Sequence, residues 1–469
     1  MENNEKLVLD VNENPKKVSQ WIMFALQHIL AMLVACITVP ILTGLPIAPT
    51  LFAAGIGTVF YILATKQKSP VFLSSSFAYL APMSSALAIG MIGDATGNNY
   101  FALILGMIFV GAVYVIVALI IKIVGTAWLN HVLPPIVIGP IIMVIGLGLA
   151  GSAVSNLTTV RGEYNLIAIL CGIIGLAATA CASHYGKGRF ISLIPFVIGM
   201  VAGYLSALIF TVFGYLFKND YLIIIDFSPF EKIFGENISL ASFINYKMFA
   251  PNNPDAMLFL HFDEIKNFDF HTIGEVALLF IPVSVVTISE HIGDHKNLSN
   301  IIHKDLLNDE PGMARTLFGD GVATALSGVI CGAANTTYGE NVAVIGTTKV
   351  ASVKVILLAA LMTIGFSLIT PITALLSTIP SSVTGGVSLV LYGFIASSGV
   401  SLLIREKVDL TNTKNIFVMS AVLISGIGGL TLKFGNPDDP RITITSISVA
   451  MFIGILLNAI LIDKKSKKI

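Results

Sequence analysis

The chain of 469 residues is 55% apolar and only 12% charged, and its mean hydropathy is +0.87. Soluble proteins carry about 25% charged residues, so this composition excludes an ordinary soluble protein. Lysine plus arginine and aspartate plus glutamate number 27 each, and the resulting net charge of zero argues against a nucleic-acid or strongly acidic partner. We predict an all-α polytopic membrane protein.

Apolar runs long enough to cross a bilayer, roughly 18 to 25 residues, recur along the whole chain. They predict about fourteen transmembrane spans. In chain order these spans lie near 18–40, 47–65, 74–93, 101–122, 132–152, 165–183, 191–213, 272–294, 313–332, 338–353, 355–376, 382–402, 414–431 and 442–462. The polar residues before the first span do not have the pattern of a signal peptide, so we expect that span to be an uncleaved anchor.

The distribution of basic residues predicts the orientation of the spans. With the N-terminus inside, most of the 27 lysines and arginines fall in cytoplasmic segments, as the positive-inside rule requires. We therefore expect an even number of spans, both termini in the cytoplasm, and location in the inner (cell) membrane. The hydrophilic segment 214–271 would be an external connecting loop between residues 1–213, with seven spans, and residues 272–469, with seven more.

The two halves resemble each other. The segment 133–140 (LPPIVIGP) matches 379–386 (IPSSVTGG) in its Pro, Val and Gly positions, and Gln27-His28-Ile29 matches Glu290-His291-Ile292. Because seven is odd, the second repeat must enter the membrane in the opposite sense. Interrupted segments at corresponding positions of inverted repeats indicate the binding site of a transporter.

Two such interruptions are visible. One is the polar run 335–341 (NTTYGEN), and the other is 74–79 (SSSFAY), which lies between Pro70 and Pro82. Irregular backbone at membrane depth is tolerated only beside protein or a cavity, and Gly339 would let a ligand approach the main chain closely. A half-helix beginning near Glu340 would present free N–H groups to that ligand. A simple turn between two spans is the alternative, as is core packing for Phe77.

Few acids lie deep in the predicted spans: Glu290 and Glu340 stand out, Asp294 follows Glu290 by one turn, and Glu275 lies nearer the outer end of the same helix. Intramembrane acids are costly and indicate a functional site by default. Glu290 and Asp294 are four residues apart and share a helix face. For both, a purely structural role remains open, and Asp294 could instead be solvated near the inner interface.

Other conspicuous residues are predicted to be structural. His28 and His291 would be buried hydrogen-bonding groups, whereas His295 and His303 would lie in a cytoplasmic loop. The four cysteines would be small core residues, and no metal-ligand spacing, Walker motif or cofactor motif is present. The GxGxxG sequence at 146–151 lies in an apolar span, where helix packing is expected. Glycines in the gate spans would permit close helix contacts, including a homodimer; they are Gly139, Gly146, Gly385, Gly386 and Gly393.

At these motifs the chain resembles the nucleobase–ascorbate transporter family, and within it the bacterial uracil permeases. Gln27-His28 is similar to the family's Gln-His motif, and residues 290–294 (EHIGD) are similar to its eighth-span carboxylate motif. Glu340-Asn341 followed by Thr348-Lys349 is similar to the family signature. The resemblance covers nearly the whole chain.

The resemblance implies a core of spans 1–4 and 8–11 and a gate of spans 5–7 and 12–14, with spans 3 and 10 beginning as short strands that contain Phe77 and Gly339. It implies proton-coupled uptake of uracil, without a cofactor. The implied substrate-binding residues are Glu290, Glu340, Gly339, Phe77, Ala35 and Tyr392. The implied proton-coupling residues are Glu290, Asp294 and Glu340, and the supporting residues are Gln27, His28, His291, Tyr338, Asn341 and Thr348.

The chemistry of the residues is compatible with this reading. Uracil has two N–H donors and two carbonyl acceptors, which two carboxylates and backbone N–H groups could satisfy. A purine (xanthine or urate) carrier and an anion exchanger of the same architecture remain alternatives, although an exchanger would be expected to place a cation at the interruptions. A channel is less compatible with buried acids in broken helices, and the spans show no motif of an intramembrane enzyme.

Overall fold

A computed structural model describes residues 7–89, 99–126, 128, 134–186, 194–234, 240–250, 265, 268–436 and 439–461. The described chain is mostly helical, which confirms the predicted helical class. In the first half the helices are α1 (Val18–Thr43), α2 (Ile47–Ala64), α3 (Leu80–Leu87), α4 (Tyr100–Val124), α5 (Pro135–Gly148), α6 (Ala150–Thr158), α7 (Leu166–Tyr185), α8 (Pro195–Phe217) and α9 (Ser228–Phe234). In the second half they are α10 (Ile273–Ile302), α11 (Met313–Val329), α12 (Gly339–Thr348), α13 (Val353–Leu368), α14 (Thr370–Ser377), α15 (Ser381–Arg405), α16 (Thr413–Ile427) and α17 (Ser446–Ile460).

Length and composition suit many of these helices to a bilayer. Within the described residues, eight helical segments are long and apolar enough to cross a membrane, and four shorter helices are also strongly apolar. Among them, Tyr100–Val124 contains the 18-residue window of highest mean hydropathy, 3.0, and 44% of that window is buried in the protein. An apolar helix that leaves so much surface uncovered requires an apolar surrounding, so the protein is a multi-pass membrane protein.

A helix lies within each of the fourteen predicted spans, but several boundaries differ from the prediction. The eleventh span is divided into α13 and α14 at Ile369, because Pro371 lacks an N–H and its ring clashes with a preceding helical turn. The fifth is divided at Leu149 into α5 and α6. The tenth contains the ten-residue α12, whereas α10 extends to Ile302, beyond its predicted end at 294.

Three two-stranded antiparallel sheets join the described helices. The first pairs β1 (Leu73–Ser75) with β4 (Asn335–Thr337), the second pairs β2 (Thr159–Val160) with β3 (Glu163–Tyr164), and the third pairs β5 (Leu432–Asn436) with β6 (Asp439–Ile444). The last hairpin was not predicted: residues 442–444, assigned to the fourteenth span, belong to β6. Its physical reason is the polar, glycine- and proline-containing sequence between Lys433 and Arg441, which breaks the helical pattern.

The described helices pack as two sets. In the first, α2 and α4 pack against α11, α4 also contacts α10, and α1 and α2 contact α13. In the second, α15 packs against α5, α6 and α7, while α7 contacts α8 and α16 contacts α5 and α17. The first set carries both the β1–β4 pair and the helices that follow these strands.

Glycines of the second set are used for contacts within the chain. A Cβ atom at Gly146 would lie 2.5 Å from the carbonyl oxygen of Tyr392, so α5 and α15 touch backbone to backbone there. This confirms that the GxGxxG sequence is a helix-packing element at Gly146. Cβ atoms at Gly139, Gly385 and Gly386 would also clash with neighbouring helices, and these glycines are therefore occupied by intramolecular packing.

Of the four cysteines, Cys36, Cys171 and Cys331 are buried, as predicted, but Cys181 is exposed. Cys181 lies near the end of α7, a helix that is only partly covered by protein. Its apolar sequence context therefore reflects exposure to an apolar surrounding and not a place in the core.

Candidate functional site

The site is organised around the pairing of β1 with β4. Leu73 pairs with Thr337, Ser74 with Thr336, and Ser75 with Asn335, in antiparallel register. The ladder continues for one further bond, from the Ser76 N–H to the carbonyl of Ala334, at 2.9 Å. The two polar interruptions of the sequence are thus a single structural unit, and both strands are entirely buried.

Side chains of α2 and α11 satisfy the outer edges of this small sheet. The Thr58 hydroxyl accepts the Leu73 N–H at 3.0 Å, the Thr324 hydroxyl donates to the Asn335 carbonyl, and the Asn335 amide donates to the Ala53 carbonyl at 2.9 Å. These contacts satisfy backbone groups at the strand edges that would otherwise be buried without a hydrogen-bond partner. They also explain why threonines occur here in otherwise apolar helices.

A short helix follows each strand. After β1 comes a 3₁₀ turn, Phe77–Tyr79, and then α3; after β4 comes α12, which starts at Gly339. Phe77 and Gly339 therefore lie just beyond the strands and not within them, which corrects the expectation from the family resemblance. The reason is that strand pairing ends at Thr337, and Tyr338 acts as the N-cap of α12. The first-turn N–H groups of both helices lack intrahelical acceptors.

Three carboxylates converge on the N-terminus of α12. Glu340 is in its first turn and is half-buried. Glu290, on α10, is exposed although Val286 and Thr287 one turn before it are buried, and it lies close enough to Asp294 and Glu340 for direct electrostatic interaction. The Asp294 Oδ1 atom lies 3.4 Å from the position of a Cβ at residue 339. Asp294 is thus at the site and half-buried, well inside α10.

A cleft of about 140 Å³ opens beside Glu340. Residues of α1, of the start of α8 and of α12 line it, and Glu340 is the acid among these described lining residues. The lining residues are Leu30, Ala31, Ile194, Pro195, Phe196, Val197, Glu340, Ala343, Val344 and Thr347. The cleft runs along α12 between the two sets of helices, so it gives the site an opening.

Two aromatic side chains connect the strand pair to the second helix set. The rings of Phe77 and Tyr392 meet edge to face, with centroids 5.7 Å apart, and so connect the turn after β1 to α15 of the second helix set. Phe77 is 7% exposed and Tyr392 is 2% exposed. Ala35, on α1, has no exposed surface. This predicted substrate-binding residue therefore does not line a cavity in this conformation.

Residues expected to support the site lie behind it. His28 Nδ1 and Asn341 Oδ1 are 2.8 Å apart, so α1 is tied to the residue that follows Glu340. His291 is fully buried, as predicted, and Gln27 and Tyr338 are buried as well. The Thr348 hydroxyl donates to the Val344 carbonyl at 2.7 Å at the far end of α12.

One acid of this region, Asp320 on α11, is absent from the sequence-based prediction. Its carboxylate lies 2.7 Å from His291 Nδ1, and both side chains are fully buried. Asp320 also interacts with the backbone of Thr337 in β4 and electrostatically with Glu290. A single acid within the apolar run 313–332 was a usable signal, by the same argument that selected Glu290.

The prediction for His295 was wrong. It is fully buried on α10, where its ring stacks on that of His291 with centroids 4.0 Å apart. Its Nε2 atom lies 2.7 Å from the hydroxyl of Tyr61, on α2. The eighth span was predicted to end at 294, but α10 continues past His295 because its buried face repeats at helical spacing through Leu298.

These groups define what the site can hold. Two carboxylates offer acceptors, helix-terminal N–H groups offer donors, and Phe77 offers an aromatic face. Such a site suits a small planar molecule with both N–H and carbonyl groups. Among the described residues, no group of three or more His, Cys, Asp and Glu side chains could hold a metal ion.

Carboxylates gathered at a helix N-terminus in a multi-pass membrane protein are typical of a permease, and the family and the relatives given next show that the protein is a transporter and not an enzyme. A family profile described as "Permease family" matches residues 19–434. The chain belongs to this family, the nucleobase–ascorbate transporter family.

Curated relatives match along almost their entire length. The chain is 39% identical to the uracil permease of Bacillus caldolyticus, over 97% of this chain and 95% of the relative. It is 36% identical to the uracil permease of Bacillus subtilis (strain 168), over 99% and 97%, and 34% identical to that of Escherichia coli (strain K12), over 96% and 93%.

Solved structures match the fold. The transmembrane domain of the cyanobacterial bicarbonate transporter BicA aligns with a TM-score of 0.58 at 12% identity, over 95% of this chain and 99% of that domain. Murine Slc26a9, an anion transporter in the inward-facing state, aligns with a TM-score of 0.62 at 9% identity, over 96% of this chain and 69% of that one. At these identities the likeness concerns the fold alone.

Proposed function

We propose that the protein is a secondary transporter that carries uracil into the cell in symport with protons. The observation that carries this proposal is the packing of α10, which carries Glu290 and Asp294, against α12, which has Glu340 in its first turn. The uracil permeases among its relatives match over almost their whole length, which supports the choice of base.

Uracil recognition would divide between side chains and backbone. Glu290 and Glu340 would accept hydrogen bonds from the two ring N–H groups, and N–H groups near Gly339 and Phe77 would donate to the carbonyls. The absence of a side chain at Gly339 leaves room for the base to approach the main chain. An anion would meet repulsion from the same carboxylates, so the likeness of the fold to anion transporters does not extend to the proposed substrate.

Proton coupling is proposed for Glu290, Asp294 and Glu340. Like charges this close are held together most easily when a proton or a donor lies between them. Uracil uptake should therefore be measured against external pH in membrane vesicles with Glu290→Gln. We expect pH-driven accumulation to be lost, because glutamine cannot carry the proton. Unchanged accumulation would remove Glu290 from the coupling mechanism.

The proposed architecture has fourteen spans in two inverted seven-span repeats, with a core of spans 1–4 and 8–11 that moves against a gate of spans 5–7 and 12–14. Antiparallel pairing of β1 with β4 supports it, because equivalent segments related by inversion must run in opposite directions. Pro134 and Pro380, from the matched segments, are the N-caps of α5 and α15. The two packed sets of helices support alternating access across the cleft.

Orientation and assembly complete the proposal. The excess of lysine and arginine in the segments assigned to the inside supports cytoplasmic termini in the inner membrane. The cleft along α12 would then open toward the cytoplasm. A homodimer is also proposed. Most of the candidate glycines are used in packing within the chain, so its interface would lie on the apolar outer surfaces of α16 and α17.

Labelled-uracil uptake by cells that lack their own permease tests the function. The unmutated protein should restore uptake, and Glu340→Ala, at equal membrane abundance, should not. Competition by unlabelled xanthine and urate separates a purine carrier from a uracil carrier. Absence of uptake by the unmutated protein, or stronger competition by a purine than by uracil, would overturn the choice of substrate.

A further inference from the structure

The chain before α1 is bound to the core. Residues 7–11, which we call the N-terminal strap, run beside the segment that joins α12 to α13. The Val8 and Leu9 N–H groups donate to the Lys349 carbonyl at 2.8 and 3.2 Å, and Leu9 and Val350 form a parallel bridge. The Ala351 N–H donates to the Leu9 carbonyl at 2.9 Å, so the strap is held in register.

The strap is also anchored by burial and by charge. Val11 is 2% exposed, and its carbonyl accepts the Val353 N–H at 3.0 Å. Both carboxylate oxygens of Asp10 lie 2.9 Å from the Lys304 Nζ atom. Lys304 stands two residues after the end of α10, so the strap connects the end of α10 with the end of α12.

These two helices carry the acids of the site. Glu290 and Asp294 are on α10, and Glu340 is in the first turn of α12. With only ten residues, α12 has the site at one end and the strap at the other. Because α12 is a continuous helix of ten residues, it can carry a displacement of its strapped end to Glu340.

We propose that the N-terminal strap is a positioning element, which holds α10 and α12 at the separation that the carboxylates need to bind substrate together. Asp10 acts on the site only through these helices, as a positioning residue. The transport readout rests on the proposed uracil transport, whereas the geometric part of the proposal is independent of it.

A charge exchange between Asp10 and Lys304 tests the proposal in uptake. Asp10→Lys and Lys304→Asp each place like charges together, and the double variant restores an attractive pair. In each single variant we expect the KM for uracil to rise about two- to fivefold, the range expected for an exposed ion pair. The maximal rate per folded transporter should change little, and the double variant should recover the KM.

Glu310→Gln is the matched control. Glu310 lies in the same α10–α11 connection, where it forms ion pairs with Lys66 and Lys68 instead of with the strap. Its loss removes surface ion pairs without releasing α12, so the KM should stay unchanged. An equal KM rise in this control would assign the effect to general loosening of the surface. If the single charge reversals prevent folding, Asp10→Asn provides the milder change.

Distance measurements separate positioning from stability. Spin labels on Asn300→Cys and Thr347→Cys, in a Cys181→Ser background, report the separation of α10 and α12 by electron–electron resonance. Both positions are exposed in the structure. We expect the distance distribution to broaden in Asp10→Lys and to narrow again in the double variant. Unchanged distributions would overturn the strap as a positioning element, whatever the substrate proves to be.

Discussion

The two interrupted segments of the molecule pair with each other but carry different chemistry. The first, β1 with its following 3₁₀ turn, offers serines and the ring of Phe77, whereas the second, β4 with α12, offers Gly339 and Glu340. The first is bound to the second helix set through Tyr392, and the second is bound to α1 through His28 and Asn341. Two equivalent segments of a symmetric scaffold thus carry different groups: the second carries a carboxylate and the first an aromatic ring.

Removal of the charge of Glu340 should have the largest effect on the second segment. Glu340→Gln retains the shape but replaces a charge-assisted hydrogen bond, so it should cost about 1.5–3 kcal/mol of binding, or roughly a ten- to hundredfold weaker uracil affinity. Binding can be measured by calorimetry on purified protein. Glu275→Gln, in the first turn of α10 and without a place at the site, should leave the affinity unchanged. Equal losses in both variants would contradict the assignment.

Asn335 tests whether the pairing of the two segments depends on its anchor to α2. In Asn335→Ala, the hydrogen bond to the Ala53 carbonyl is lost, and we expect about 1–2 kcal/mol less stability. Thermal unfolding in detergent measures the change, with the exposed Asn300→Ala as the control. A melting temperature unchanged by Asn335→Ala would show that β4 needs no such anchor.

Gly339 tests whether the base approaches the backbone of the second segment. A methyl group at 339 would lie 3.4 Å from Asp294 Oδ1 and occupy the space offered to the base. Gly339→Ala should therefore weaken uracil binding by about 1–2 kcal/mol, the usual cost of overpacking. Gly148→Ala is the control because its added Cβ would meet only open space. If binding by Gly339→Ala is intact, the base does not approach this backbone.

Phe77 gives the smallest expected effect. Phe77→Leu removes the edge-to-face contact with Tyr392, and such contacts contribute about 0.5–1.5 kcal/mol beyond burial. We expect a two- to tenfold rise in the KM for uracil uptake, whereas Tyr392→Phe should preserve both the ring contact and the KM. A larger loss in Tyr392→Phe would instead assign the role to its hydroxyl.

Glu310, in a surface ion-pair cluster, should not contribute to the pH dependence of uptake, which can then be attributed to the carboxylates of the site. Its ion pairs with Lys66 and Lys68 lower the pKa of Glu310 to about 2. A carboxyl group with a lowered folded-state pKa contributes stability that is present above its unfolded value, near 4.5, and is lost as the pH falls through about 2. Between pH 5 and 8, Glu310 stays ionised, so we expect Glu310→Gln to leave the pH profile of uptake unchanged.

Sequence patterns located the site because polar residues in apolar runs are conspicuous. Asn335–Thr337, Glu340 and Glu290 stood out on that ground alone. The ends of the strands were harder to predict than the site. β1 and β4 end where their pairing ends, and pairing between the two halves of the chain leaves no local signal in the sequence. Asp320 escaped notice inside an otherwise ordinary apolar span. His295 was misplaced because the eighth span was predicted to end at 294, and the N-terminal strap is an apolar run of only five residues (LVLDV), too short to predict a span or a contact.

The pairing of β1 with β4 has a consequence for biosynthesis. The two strands come from opposite halves of the chain, so the first half must be inserted while Leu73–Ser75 still lacks its partner. The candidate site can form only after Asn335–Thr337 has been made. Until then the newly made first half carries an open strand edge, which is where a chaperone or an insertion factor would be needed and where premature release would lead to aggregation.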